Sequence, residues 1–488
     1  MPNTAINLPA ISRQPRRSSK TLLTWALLIV VVCGVRIFLP FTETDSMLVY
    51  EKIAAALLQG DNWGKQALVG ALDYPPLPTV VLIFFVALTP SALDPGHLMV
   101  ALCQVTVLVF LLRSAATFSL RSTLLAGLLM MAGLMAGPQL WAANPFWVML
   151  VPLAAAMFYF CQWERAGKLR SLVMVAICAG TLVYCGIAGM IAGLLLVLTL
   201  RRSGIRRKEW PAGSTPLAIA PWIYGMILYP LFNLLILGDL GYAMKRLAGS
   251  LSELGPDVIY SLPQLWLLAV VALVLGLAGR LVPRFHLACG WIVAFSLLAV
   301  LHRSSSWFVG GGALFMGFAA LPLLHILFFP GKLFQRLSSG VTVAATCVLL
   351  FAGTFIGRQP AATGAEFANG APPAEEVVAL VDAHWPNSRI LLLDLRSAAI
   401  YADSIPNRFS PRLDVIESDI RLQIEEEQMH LLLAPNNGVF YARHGQLAEM
   451  HTNDRDWLFL EKQWPDGWQL WRCVRAAPQP NAELATTP

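Results

Sequence analysis

The chain has 488 residues, of which 57% are hydrophobic and only 13% charged, and its formal net charge is +6. Its mean hydropathy of +0.61 is more than one soluble core can use, and the apolar residues gather in runs of about 17 to 25, the length that spans a bilayer. Lys and Arg collect in short loops between those runs, as membrane orientation requires, so the positive charge is not a nucleic-acid signal. The eight cysteines contain no CxxC pair and sit mostly in apolar runs, so neither a disulfide framework nor a zinc site is suggested.

Residues 1–20 close with ISRQPRRSSK and precede TLLTWALLIVVVCGVRIFLP at 21–40. The run is too long for a signal peptide and lacks a small-x-small cleavage site, so a cytoplasmic tail and a retained first helix are expected. Residues 41–76 then face the exterior. Further spans are read at roughly 77–93, 97–112, 122–137, 144–161, 170–185, 186–200, 215–238, 261–282, 285–301, 306–329 and 338–357, giving 11–13 transmembrane helices over residues 21–357. The loops WERAGKLR, RRSGIRRK and PGKLFQR and the Arg280/Arg284 region fall inside, whereas 239–260 and HRSSSW fall outside. Counting forward from the first helix reverses this parity at Trp163, so one helix is miscounted between 77 and 162. The charge bias is the firmer guide, because helix boundaries are the weakest part of such a reading.

Residues 358–374 read as a Pro/Gly/Ala-rich linker, and 375–475 as a small exterior α/β domain. Its elements are a helix at EEVVALVDAHW, strands at RILLLDL and HLLLA, a helix at ESDIRLQIEEEQ, and strand candidates WLFLEKQW and WQLWRCV. No nucleotide-binding glycine fingerprint is present, so an accessory role is the plainer reading, and 476–488 reads as a disordered tail. The predicted fold class is therefore an α-helical polytopic membrane protein with a small C-terminal α/β exterior domain.

The loop after the first helix, PFTETDSMLVYEKIAAALLQGDNWGKQALVGALDYPPLP, carries the chemistry. Met47, Tyr50, Ala54 and Leu57/Leu58 recur at helical spacing with Glu51, Lys52 and Gln59 opposite, so 46–59 is expected to be an amphipathic interfacial helix ended by Gly60. Asp45 stands at its start, where it serves either as an N-cap or as an outward-facing carboxylate. Trp63 suits the interface, Tyr74 suits an anchor, and Asp73 is either a turn residue or a second functional acid. Pro75 and Pro76 fix an extended entry to the next helix.

This combination resembles the first exterior loop of the GT-C glycosyltransferases, membrane enzymes that take sugars from polyprenyl or dolichyl phosphate. An acid after helix one, then Tyr50, Ala54 to Ala56, Leu58, Gly60 and Trp63, then YPPL, looks like the branch of lipid A aminoarabinose transferases and protein O-mannosyltransferases. LDYPPL also looks like the dolichyl-phosphate-glucose-dependent glucosyltransferases. The match covers about residues 36–78, and one departure stands out: relatives often carry adjacent Asp-Glu, whereas here the acids are Glu43 and Asp45, separated by Thr44.

The resemblance implies an inner-membrane glycosyltransferase with a cytoplasmic N-terminus, a polyprenyl-phosphate-linked sugar as donor and a lipid, glycan or protein of the envelope as acceptor. Such a donor already has a good leaving group, so transfer needs a base and cations rather than a strong acid. Asp45 is the expected base, Asp73 orients the acceptor, and Tyr50, Trp63, Tyr74, Pro75 and Pro76 position the acceptor or the loop. Arg36, Lys245, Arg246 and Arg303 are the expected phosphate-binding cations. A divalent cation, Mg or Mn, shared by Asp45 and Asp73 is the one cofactor considered. The rival classes are a transporter, against which the acid-poor spans and missing internal repeat argue, and a non-catalytic assembly protein.

Overall fold

The computed structural model describes residues 45–70, 75–89, 94–116, 145–206, 213–238, 240–241, 370–386, 388–392, 397, 400–401, 408–411, 430–433 and 458–473. The chain divides into two units, Met1–Pro40 and Phe41–Pro488, and every described residue belongs to the second. The expected first helix, the expected spans at 122–137 and from 261 to 357, and the tail 476–488 lie outside the described residues.

Eight helices are described in the apolar part: α1 (Asp45–Gln59), α2 (Asn62–Gly70), α3 (Pro76–Leu88), α4 (Pro95–Ala116), α5 (Phe146–Ala166), α6 (Leu169–Val183), α7 (Gly186–Arg206) and α8 (Ser214–Leu237). Among them α8 is long and apolar enough to cross a membrane by length and composition, and parts of α3 to α7 are shorter apolar stretches. α6 lies at the centre, packed by α5, α7 and α8, while α1 packs on α2 and α3 and α4 packs on α5. Small residues permit the closest crossings. A Cβ on Gly180 of α6 would stand 2.7 Å from the Pro221 carbonyl oxygen of α8, and one on Gly193 of α7 would stand 2.6 Å from the Ala179 carbonyl oxygen. Trp222 Nε1 donates to the Met190 carbonyl at 2.9 Å, which gives the half-buried indole a partner across the α7/α8 contact.

One core runs from Met47, Tyr50 and Ile53 of α1 through Leu82, Met99, Trp147 and Leu153 to Leu182. A second joins Phe160, Trp163, Leu172, Val175, Leu200 and Ala218. Outside these cores α8 turns Tyr224, Ile227, Leu231 and Leu235 outward, an apolar face at helical spacing.

The helix expected over 77–93 is shorter than hydropathy suggests. α3 has 13 residues and stops at Leu88, where Thr89 turns extended (φ −86°, ψ 128°). Pro90 follows, and a residue before proline is pushed out of the helical region.

Residues 374–473 contain a helix and a mixed sheet. α9 is Ala374–His384, and the strands are β1 (Ile390–Leu392), β2 (Phe409–Pro411), β3 (His430–Leu433), β4 (Leu458–Gln463) and β5 (Gln469–Cys473). Their order is β2-β1-β3-β5-β4, with β1 parallel to β2 and β3, and β5 antiparallel to β3 and β4. Val377 and Val381 of α9 are buried with Ile390, Leu392, Phe409, Leu432 and Trp468. Tyr401 stacks on Phe409 at 4.6 Å and donates its hydroxyl to the Pro372 carbonyl at 2.8 Å. Arg408 holds Asp382 with two nitrogens, at 3.0 and 2.6 Å. The segment ESDIRLQIEEEQ, expected to be a helix, lies outside the described residues.

Candidate active site

The site begins with α1, whose first residue is Asp45. Met47, Tyr50, Ile53 and Ala54 are fully buried and Leu58 is half exposed, so most of the apolar face read from the sequence is covered by protein. Gly60 ends α1 with φ +83°, a left-handed conformation that costs glycine little. The Gly60 and Asp61 amides return to the Leu57 and Ala56 carbonyls at 3.1 and 2.9 Å. α2 then folds back, with a Cβ on Gly64 placed 3.0 Å from Ala56 Cβ, and Trp63 sinks into the core at 6% exposure.

The proline entry is built as the backbone chemistry requires. Pro75 is extended (φ −58°, ψ 150°) and Pro76 opens α3, with Pro75, Pro76 and Pro78 all buried. Pro76 and Pro78 have no amide hydrogen, so Leu77 between them supplies the donor. Its N–H meets the Tyr184 carbonyl, in the turn joining α6 to α7, at 3.0 Å. The prolines thus stiffen the start of α3, and Leu77 fastens it to the helical bundle.

A carboxyl pair that the sequence does not announce joins α1 to the residue before α4. Glu51, placed with Lys52 and Gln59 on the polar face, accepts the Gly96 N–H on Oε1 at 2.9 Å and hydrogen-bonds the Asp94 carboxyl. Asp94 Oδ1 accepts the His97 N–H at 3.0 Å, and its Oδ2 lies 3.6 Å from His97 Nε2. A Cβ on Gly96 would stand 2.5 Å from Glu51 Oε1 and 2.7 Å from Met47 Cγ, so only glycine admits this approach. Burial first, and the Asp94 carboxyl second, push the Glu51 carboxyl up from the usual carboxylate range to about 8, against the opposing pull of the Gly96 amide and Lys52. At neutral pH Glu51 therefore keeps its proton. The signal in the sequence is DPGH at 94–97, an acid at the cap of a helix with Pro and Gly in its first turn.

Of the residues singled out in the sequence, Asp45, Tyr50, Trp63, Pro75 and Pro76 belong to this α1–α2–α3 unit. Tyr50 and Trp63 are core residues there, so their contribution is to hold the helices in place. Asp73, Tyr74, Arg36, Lys245, Arg246 and Arg303 lie outside the described residues. Among the described residues no group of three or more His, Cys, Asp or Glu could hold a metal ion. In the C-terminal sheet, His430 of β3 faces Ser388 Oγ at 3.1 Å through Nδ1 and Glu461 of β4 at 3.5 Å through Nε2. With His430 only 1% exposed, this row joins strands rather than meeting a substrate.

No protein-family model matches the chain, and no curated protein matches it. Among solved structures it is similar to ArnT from Cupriavidus metallidurans bound to undecaprenyl phosphate, at 14% identity and a TM-score of 0.39, covering 95% of this chain and 100% of that one. It is similar also to ArnT from the same organism in the apo state, at 15% identity and a TM-score of 0.39, covering 94% of this chain and 100% of that one. Likeness at this TM-score fixes neither activity nor substrate, and the function proposed for the chain stands on its own residues.

Proposed function

We propose that the chain is a multi-pass inner-membrane glycosyltransferase that moves a sugar from a polyprenyl-phosphate carrier to an acceptor of the cell envelope on the exterior face. The observation that carries this reading is Asp45 at the head of α1, in a helix pair that carries Tyr50, Ala54, Leu58, Gly60 and Trp63 and leads to the proline entry of α3. A sugar on a lipid phosphate needs its acceptor hydroxyl deprotonated as the anomeric bond breaks, and a carboxylate is a sufficient base for that step. The hydroxyl oxygen attacks the anomeric carbon, its proton passes to Asp45, and the bond to the phosphate oxygen breaks on the opposite side. The products are an inverted glycoside and the free polyprenyl phosphate. Departing negative charge calls for cations, which assigns Arg36 and Arg303, with Lys245 and Arg246, to the phosphate. Asp73, two residues before Pro75 in the sequence, orients the acceptor. The direct test is mass spectrometry of envelope glycolipids and glycans with and without the protein: loss of one glycosylated species is expected, and an unchanged envelope would refute the reading.

The donor class makes its own prediction. Purified protein should bind a polyprenyl-phosphate sugar, and Arg36→Ala or Arg303→Ala should weaken binding about tenfold to a hundredfold, the worth of one charge-assisted contact of about 1.5–3 kcal/mol. Tight binding of a nucleotide sugar with no response to the lipid would place the chain in another enzyme class.

Orientation makes another. The loops rich in Lys and Arg at 163–170 and 201–208 belong inside, which carries the domain at 375–475 to the exterior. A reporter fused after Val474 should be active only when it folds outside the cytoplasm; activity confined to the cytoplasm would overturn the orientation.

A further inference from the structure

The buried positions in the body of α8 fall on one stripe, Ala218, Gly225, Tyr229 and Asn233. Along that stripe α8 rests first on α6. A Cβ on Gly180 would stand 2.7 Å from the Pro221 carbonyl oxygen, and one on Gly225 would stand 3.1 Å from Val183 Cβ. Val183 is the last residue of α6. At 1.5 Å per residue, Asn233 lies about 12 Å farther along α8 than Gly225, past the end of that packing. α2, which carries Trp63, also packs on α8.

Asn233 is 0% exposed, and neither its Nδ2 nor its Oδ1 has a hydrogen-bond partner. Other polar side chains in these helices are satisfied within the protein. Thr106, Thr181 and Thr199 donate to the carbonyl four residues back, at 2.8, 3.0 and 2.7 Å, and Trp222 reaches Met190. Thr79 Oγ1 and Trp147 Nε1 are buried without a partner too, but each offers a single atom. Asn233 holds a donor and an acceptor side by side, which is costly to leave unpaired away from water. It bonds no neighbouring helix, and full burial keeps a second copy of the chain from reaching it. A polar group kept in an apolar bundle at that cost is a mark of function.

Its partner must bring an acceptor for Nδ2 and a donor for Oδ1. An ionised phosphate only accepts and a polyprenyl chain does neither, whereas a sugar hydroxyl does both, and two neighbouring hydroxyls match the two ends of an amide. The depth agrees. With the basic segment 201–208 inside, α8 runs outward, and Asn233 stands about 6 Å short of its exterior end at Leu237.

We propose that Asn233 binds the sugar of the lipid-phosphate donor, its Nδ2 donating to one hydroxyl and its Oδ1 accepting from a neighbouring one. The inference rests on the carrier and orientation of the proposed function, and adds to them a residue that recognises the sugar. Asn233 acts in binding and takes no part in the chemical step.

Asn233→Leu keeps the size of the side chain and removes both polar atoms. The test uses the full-length chain in detergent with two probes: the sugar-bearing polyprenyl-phosphate fraction extracted from its native cells, and undecaprenyl phosphate without sugar. Without lipid, Asn233→Leu should melt no lower than the unsubstituted chain, because the atoms it loses have no partner. The sugar-bearing lipid should bind the unsubstituted chain about tenfold more tightly than the bare one and raise its melting temperature further, whereas Asn233→Leu should not tell the two apart. A variant that still favours the sugar-bearing lipid would overturn the assignment of Asn233 while the carrier reading stands. So would a variant that has lost both lipids, or an unsubstituted chain that responds equally to both. No response of the unsubstituted chain to either lipid would sink the carrier reading and this inference with it. Asn233→Ala repeats the comparison without bulk at the site: if both variants melt well below the unsubstituted chain, the amide is held by the protein itself and the proposal falls.

Discussion

Asp45→Asn should reduce sugar transfer by about 100-fold to 10,000-fold while leaving expression and membrane insertion near normal, because losing a general base costs that much in rate. Asp45 has two readings at the head of α1, and this exchange separates them. Asn caps a helix about as well as Asp, so a residue that only capped α1 would be replaced with little effect on stability and none on rate. A base would lose its function, at a barrier cost of roughly 3 to 5 kcal/mol, far larger than the error of a rate measurement. Asp73→Asn should be milder, raising the acceptor KM more than it lowers kcat. Pro75→Ala should lower activity moderately by loosening the extended entry that Pro75 fixes before α3. Full activity of Asp45→Asn, in membranes where the unsubstituted chain transfers sugar, would end the base assignment and move attention to Asp73 or Glu43.

The parts of this site legible in the sequence are those set by local chemistry. Apolar spacing gave a helix at 46–59, and α1 is Asp45–Gln59; Gly60 ends it because a left-handed residue is needed there. The proline entry to α3 was equally local. What escaped depends on partners distant in sequence. Periodicity puts Glu51 on the polar face of its own helix but does not reveal that Gly96, 45 residues later, covers that face. The far end of α3 escaped for a different reason: hydropathy runs on past Leu88, whereas the helix obeys the backbone restriction before Pro90. In the C-terminal sheet, β2 is three residues ending in proline, and it is a strand because β1 pairs with it in parallel. No alternation in FSP announces it.

Glu51→Gln should flatten the pH dependence of stability without unfolding the α1–α4 junction. The Glu51 carboxyl is held up to about 8, by burial and then by Asp94, whereas an unfolded chain would ionise it in the usual carboxylate range near 4.5. Between those values the folded chain keeps a proton that the unfolded chain gives up. The stabilisation from that proton is therefore complete below about pH 4.5 and is lost as pH rises through about 8. One proton sets the limit of the slope at about 1.4 kcal/mol per pH unit. In detergent, the unsubstituted chain should melt at progressively lower temperature from pH 5 to pH 8, and Glu51→Gln should lose most of that decline. Gln keeps a carbonyl oxygen for the Gly96 N–H and an amide donor for Asp94, so its melting temperature at pH 8 should equal or exceed that of the unsubstituted chain. Glu51→Ala lacks both groups and leaves the Gly96 amide and Asp94 without them, so it should be less stable at every pH. His97 lies beside Asp94, and an imidazole is the side chain whose ordinary charge change falls near neutral pH. His97→Gln is therefore the control: it should preserve the decline if Glu51 is its source. Equal slopes for the unsubstituted chain and Glu51→Gln would show that folding does not hold a proton on Glu51.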